Sequence, residues 1–464
     1  MIIFTVIVLI YLIFSLRFPD FMFWLAVTIF LDPGGYIITY VQRSMIGGLQ
    51  ITDVGIVMLT LPLISPKINI RSYFNYPDNK WIFYFLLIYA IVYHVIVFGF
   101  IAPGNNFKSL LHLLQYERLT IWGFIAIIPG YIFFRRSYHL MIRFAFITSI
   151  LLVALYMIRQ FTGLPVIPLR IAERGIGTNA LRIGMISYGY AYWFIYISLM
   201  LLIYKLELPW KNWIYIIGLV VAVAQILSLT RRSTLSLLYS FFLIYFFYTR
   251  IINLNIISFR ITRVFISIGV LILILYLFAP DYIRYTRDIM ENTLNVINLG
   301  HEDMDYTDAR LTRDIPGHLA LFRQSPIIGY GYDALWYSND VGEGGLSAND
   351  VPLTAALGMF GILGLSLYSI YYIKTFKILY QSYNVLKAHY WNRFAGQNVI
   401  IFCILMALFI AYISRYTLNF MAYFLDLIDG KTRVISMLSW GVLLASRDIL
   451  AQELSFLKQL KINE

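Results

Sequence analysis

Residues 213–248 read WIYIIGLVVAVAQILSLTRRSTLSLLYSFFLIYFFY. Apart from Arg231 and Arg232, every side chain in that run is apolar or neutral. A helix needs about 20 mostly apolar residues to cross the hydrocarbon core of a bilayer, somewhat fewer when flanking groups snorkel. The run is therefore long enough for two crossings, 213–230 and 233–248, with the arginine pair at the turn between them. The rest of the chain has the same character: of 464 residues, 60% are hydrophobic and 13% charged, and the mean hydropathy is +0.74. A soluble domain carries about 25% charged residues, so there is too little polar surface here to cover a water-soluble core. The composition predicts an all-α polytopic membrane protein and excludes a soluble enzyme, a nucleic-acid binder and a disordered scaffold. The one cysteine, Cys403, lies in an apolar run, which leaves no disulfide framework and no Cys-based metal site.

Further apolar runs at 2–16, 21–31, 51–65, 81–102, 119–134, 140–158, 186–204, 264–279, 352–373, 399–414 and 434–445 bring the expectation to about 12–13 transmembrane helices. The run 2–16 lacks a positive leading flank and is followed by Arg17-Phe18-Pro19-Asp20, so it reads as a retained membrane segment. Cations concentrate in 66–80 (Lys67, Arg71, Lys80), 135–139 (Arg135, Arg136), 205–212 (Lys205, Lys211), 249–263 (Arg250, Arg260, Arg263) and 374–398 (Lys374, Lys377, Lys387, Arg393). Short basic loops stay in the cytoplasm, which places 159–185, 230–233 and 280–351 outside. The expected organisation is an N-terminal bundle over 1–279, an extracytoplasmic cap loop over 280–351, C-terminal helices over 352–446 and a tail over 447–464. In the tail, Ile449, Leu450, Leu454, Phe456, Leu457 and Leu460 recur at helical spacing among charges, the pattern of a cytoplasmic interfacial helix.

The cap stretch is the compositional anomaly. It holds 12 of the 24 acids against five arginines and no lysine. Leu311, Ile315, Leu319 and Phe322 restore a helical period, and Tyr330, Tyr332, Trp336 and Tyr337 cluster behind them, so a folded, partly helical cap is expected in place of a solvated linker.

Arginines gather on the side where cations oppose insertion: Arg231 and Arg232 at a span end, Arg170, Arg174 and Arg182 in the loop before residue 186, and Arg310 and Arg313 in the cap. Guanidinium forks bind phosphate oxygens bidentately and keep their charge, so a phosphate-headed lipid is the ligand their chemistry suits. Individual snorkelling to lipid headgroups is the competing account for any one of them. The histidines His94, His112, His139, His301, His318 and His389 lack metal-ligand spacing, and Asp303-x-Asp305-x-x-Asp308 lacks the glycine and terminal glutamate of a calcium loop. No metal is expected, and His94, inside a span, reads as a core histidine.

These residues resemble the O-antigen ligase and Wzy-type polymerase superfamily. Leu229-Thr230-Arg231-Arg232-Ser233-Thr234 is similar to its Ser-Arg-Gly element, and Arg310 followed by Ser325-Pro326-Ile327-Ile328-Gly329-Tyr330-Gly331 resembles its cap pattern, an arginine ahead of Pro-x-x-Gly-x-Gly. Gly361-Ile362-Leu363-Gly364-Leu365 matches the glycine-rich start of the helix that leaves the cap. Where the ligases place His-Asn this chain has Asp350-Val351, and where a tryptophan usually follows the cap arginine it has Asp314, so the likeness is better to the polymerases.

The resemblance implies a C-type-like glycosyltransferase in the bacterial inner membrane, with its site on the extracytoplasmic side. A sugar hydroxyl would attack the anomeric carbon of an undecaprenyl-diphosphate-linked glycan and expel the lipid pyrophosphate. Arg232 and Arg310 would be catalytic and, with Arg231, Arg313 and Arg182, would bind the pyrophosphate. Asp350 would take the hydroxyl proton, its competing role being a helix N-cap ahead of Pro352. His318, Tyr330 and Trp336 would contact the acceptor. Implied partners are lipid-linked donor and acceptor, membrane lipids and a chain-length regulator, with no cofactor, metal or nucleic acid. Glycan transfer to another acceptor, or movement of the same lipid across the membrane, are the alternative functions.

Overall fold

The structure, a computed structural model, describes residues 2–31, 51–104, 123–162, 314–331, 352–391, 399–418 and 430–463, with isolated positions between 164 and 269. Every regular element among the described residues is helical. Helices α1 (Ile2–Arg17) and α2 (Pro19–Leu31) are separated by Phe18 alone, and Pro19, whose missing N–H costs nothing in a first turn, opens α2. Helix α3 (Ile51–Thr60) runs into a tight 3₁₀ turn, Leu61–Ile64, and a second such turn, Ile70–Asn75, is capped by the Asn69 side chain, which accepts from the Arg71 amide. Helix α4 (Pro77–Tyr89) again starts on a proline and continues as a wider helix over Ala90–Ile101. Helix α5 (Ile127–Thr162) bends at Ser137, whose hydroxyl donates to Phe133 O and accepts from Trp24 Nε1. Both arms touch α2, Phe133 stacking on Phe23 and Phe144 meeting Phe21. Then follow α6 (Ile315–Gln324), α7 (Pro352–Trp391), α8 (Val399–Leu418) and α9 (Gly430–Asn463).

Among the described residues three helices are long and apolar enough to cross a membrane: Pro77–Ile101, Pro352–Tyr390 and Arg433–Leu457. The third is the centre of the bundle, because 89% of its apolar window is buried against 44% in each of the other two. It packs most extensively on the first arm of α5, where Gly130 and Gly441 let the backbones meet: a Cβ on Gly441 would lie 2.6 Å from Tyr131 N. Small residues at such crossings are how membrane helices gain contact without a hydrophobic drive between them.

Two ends of the bundle differ in chemistry. At one, Asp78 accepts from Lys374 Nζ (2.6 Å) and Arg447 Nη1 (3.1 Å), Arg447 also donates to Asp448 and Gln381, and Tyr131 OH donates to Asp448. Arg136 pairs with Asp20 and Lys67 donates to Arg17 O at the same end. Three of the basic segments, 66–80, 135–139 and 374–398, thus converge; 205–212 and 249–263 lie outside the described residues. At the far end of α4 the Gly104 amide donates to Tyr330 O (2.8 Å), so the cap residues sit at the opposite end of this 25-residue helix from the basic cluster.

Helix α9 passes without a break through 446 and 447, where Arg447 and Asp448 neutralise each other inside the bundle and Leu450 and Leu454 are buried. Helix α7 likewise runs on past 373 to Trp391. Of the residues that carry the helical period, Ile315, Leu319 and Phe322 lie in α6, and Leu311 lies outside the described residues.

Candidate functional site

Helix α6 begins around Pro316 and stops at Gln324, where the Ser325 amide closes the last turn on Leu321 O and Phe322 O. The chain then threads Pro326-Ile327-Ile328-Gly329-Tyr330-Gly331 against an interruption in α7. That interruption is Gly361, at φ +61° and ψ −174°, a conformation open essentially to glycine alone. Across the break the two backbones bond directly: Tyr330 N donates to Gly358 O (2.8 Å), Gly331 N to Met359 O (3.1 Å), Ile362 N to Pro326 O (2.9 Å) and Leu363 N to Ile327 O (2.9 Å). The amides and carbonyls freed by the broken helix are therefore satisfied by the cap chain. A Cβ on Gly329 would strike Met359 O, and one on Gly361 would lie 2.5 Å from Ile327 O. Two glycine patterns separated in sequence are thus one object in space, a join of cap and spanning helix.

His318 and Thr354 flank the join. His318 is buried, its Nδ1 is 3.1 Å from Thr354 Oγ1, and Nε2 has no hydrogen-bond partner among the described residues. Burial pushes its pKa down to about 4, the Asp314 carboxylate opposing that shift, so the ring is neutral at ordinary pH. A neutral imidazole so placed ties α6 to the first turn of α7 and retains one unused ring nitrogen. Tyr330 is half-buried, its amide donating to Gly358 O across the join and its carbonyl accepting from the Gly104 amide.

Beneath the join lies an aromatic layer. Phe360, next to Gly361, meets Phe98 (5.0 Å between ring centroids), His94 (5.5 Å) and Tyr93 (6.1 Å). His94 is buried at an edge-on angle to Phe98 and Phe124, as a core histidine. Phe124 also meets Arg433, wholly buried, its guanidinium carbon 4.8 Å from that ring's centroid. A Cβ on Gly123 would lie 3.1 Å from Arg433 Cδ, so the glycine makes room for the arginine stem.

The other expected site residues, Arg182, Arg231, Arg232, Arg310, Arg313, Trp336 and Asp350, lie outside the described residues, as do Arg170 and Arg174. Among the described residues no three His, Cys, Asp or Glu side chains stand close enough to hold a metal. Two features escape a reading of the sequence. Arg433 stands one residue before the apolar run 434–445 and looks like an ordinary flanking charge; its burial is a tertiary fact. The Asp78–Arg447–Asp448 network joins residues far apart in sequence, and borders a cavity of about 370 Å³ lined also by Tyr76, Gln381 and Gln452. All of the network's charges are paired with one another, which makes it a clasp between α4, α7 and α9. The chain matches no protein-family model and no curated protein.

Proposed function

We propose that the protein is a membrane glycosyltransferase that polymerises a polysaccharide from undecaprenyl-diphosphate-linked repeat units at the extracytoplasmic face of the bacterial plasma membrane. The observation that carries the reading is the join. The Pro326-x-x-Gly329-x-Gly331 and Gly361-x-x-Gly364 patterns, two of the three motifs that resemble the superfamily, are bonded backbone to backbone at the end of the bundle away from the basic cluster. In this reaction the acceptor hydroxyl attacks the anomeric carbon, the bond to the lipid pyrophosphate breaks, and Asp350 takes the hydroxyl proton. Arg232 and Arg310 neutralise the charge that grows on the leaving group, the largest electrostatic demand of the step. The test is elongation of purified lipid-linked repeat units by the protein in liposomes with excess EDTA, read as a ladder of products. Absence of a ladder, or one that only Mg²⁺ or Mn²⁺ restores, refutes the proposal.

One observation favours a second reading, movement of the same lipid across the bilayer. Transporters place charge and helix breaks within the membrane, and Arg433 is buried at the start of a candidate span while α7 is broken at Gly361. Transfer of a labelled lipid-linked glycan between leaflets, with no change in glycan length, would decide for that function.

A further inference from the structure

We propose that the turn at 326–328, where the cap chain meets α7, is embedded in the bilayer, with Ile327 set among the acyl chains of the leaflet farther from the basic clasp. The proposal rests on the membrane character of the bundle and is independent of the reaction given above. Its grounds are a continuous apolar surface, the depth of the join and the bonding of its backbone.

Beyond its break, α7 turns one face outward: Ile362, Leu363, Ile370 and Ile373 are exposed, while Gly364, Tyr368 and Tyr371 among them are buried. On a helix long and apolar enough to cross a membrane, such a stripe is the face that meets lipid. Ile327 is 66% exposed and its carbonyl accepts from the Leu363 amide, so the stripe passes from the helix onto the cap chain. On the α4 side, Phe100 and Ile101 are exposed a few residues before Gly104, whose amide donates to Tyr330 O. The outward apolar surface of both spans therefore runs up to the join, and a contiguous patch of this kind marks an interaction site, here with hydrocarbon.

Depth follows from the helix rise. Lys374 pairs with Asp78 at the basic end, and Lys377 beyond it is exposed, which sets one boundary of the hydrocarbon layer. Gly361 stands 13 residues before Lys374, roughly 20 Å along the axis. With a hydrocarbon layer about 30 Å thick, the join lies roughly 10 Å short of the far boundary. Tilt of the helix lowers it further.

Irregular backbone is tolerated at that depth where protein satisfies its polar groups. The Pro326 and Ile327 carbonyls accept from the Ile362 and Leu363 amides, the Gly329 amide donates to Ser325 O, and Pro326 has no N–H to satisfy. Polar bonds are thus made inward to α7 while the Ile327 side chain stays outside. Arg323, exposed in the last turn of α6, comes four residues before Ile327, and its long stem lets the charge reach the headgroup layer.

The experiment uses the full chain in phosphatidylcholine liposomes, with Cys403→Ala and a nitroxide on one introduced cysteine. Power-saturation EPR compares relaxation by oxygen, which concentrates among acyl chains, with relaxation by a water-soluble nickel chelate. A label at Ile327→Cys should keep the oxygen effect and lose the nickel effect, as at Ile370→Cys on the lipid stripe. Lys377→Cys, beyond the clasp, should show the reverse. Nickel access at 327 equal to that at 377 would place the turn in water and overturn the proposal. A label at 327 shielded from both reagents would mean that protein covers Ile327, and would overturn it as well. Should the labelled variant fail to fold, unmodified wild-type protein is photolabelled with a phospholipid carrying a carbene precursor in its acyl chain. Adducts are then expected on the peptides containing Ile327 and Ile370, and adducts on the second alone would refute the embedding.

Discussion

Replacing Gly361 by alanine should unfold the join, and the structure sets the size of the effect. At φ +61° and ψ −174° a residue with a Cβ pays about 1–3 kcal/mol in backbone strain alone. The new methyl would also lie 2.5 Å from Ile327 O, a backbone atom held by its bond from the Leu363 amide. Relief requires the two chains to separate, which gives up the Ile362–Pro326 and Leu363–Ile327 bonds. Each is worth about 1 kcal/mol net, and more where its groups stay dry. The expected total is about 3–6 kcal/mol. At about 2 °C per kcal/mol, the lower value for larger domains, the unfolding midpoint should drop by roughly 6–12 °C. Gly269, where a Cβ would meet nothing within 4 Å, is the matched control. Gly269→Ala should be neutral or slightly stabilising, since glycine inside a helix costs about 0.5–1 kcal/mol relative to alanine. The assay is intrinsic tryptophan fluorescence on heating in detergent, both variants beside the wild type. A Gly361→Ala protein with the same midpoint as Gly269→Ala would show that the glycine is not required by the join, and the close backbone pairing drawn from it would be wrong.

Further outcomes follow from the same structure. Asp78→Ala leaves Lys374 and Arg447 without their shared carboxylate and should cost about 2–4 kcal/mol; Lys374→Met added to it should recover part of that loss in the same melting assay, and no recovery would show that the clasp is not held by charge. His318, with its pKa lowered to about 4, refuses a proton that the unfolded chain accepts below about 6.5, so stability should fall as pH drops through that window and be fully present above it. His318→Gln should flatten that part of the midpoint-versus-pH curve, and an unchanged slope would mean that the imidazole is not buried as described. In the elongation assay, Arg232→Lys and Arg310→Lys should each shorten products severely because lysine keeps charge but loses the fork; full-length polymer from both would favour snorkelling. Asp350→Asn should lower turnover by roughly 10²–10⁴-fold if the carboxylate is the base, whereas near-normal activity would reduce Asp350 to a helix cap.

The amino-acid sequence by itself settles solvent and secondary structure. A chain that is 60% hydrophobic and 13% charged has too little polar surface to cover a water-soluble core, and backbone groups in hydrocarbon bond within helices, the form of every regular element among the described residues. The helical period through Ile315, Leu319 and Phe322 was likewise legible, because amphipathic spacing is a local property and α6 obeys it. The glycines at 329, 331, 361 and 364 could be noticed as a pattern, yet nothing in one dimension says that Ile362 bonds to Pro326. That pairing exists because a break in a buried helix exposes amides that only a second backbone can satisfy. Charges show the same divide. Lys374 and Arg447 read in sequence as flanking cations; only the fold brings Asp78 and Asp448 to them and lets the helix continue through its own charges. Arg433 carries no local mark distinguishing it from a span-end arginine. Only the packing of Phe124 and Gly123 around it turns a flanking residue into a charge held inside the protein, because burial is decided by which surfaces meet and sequence order does not record that.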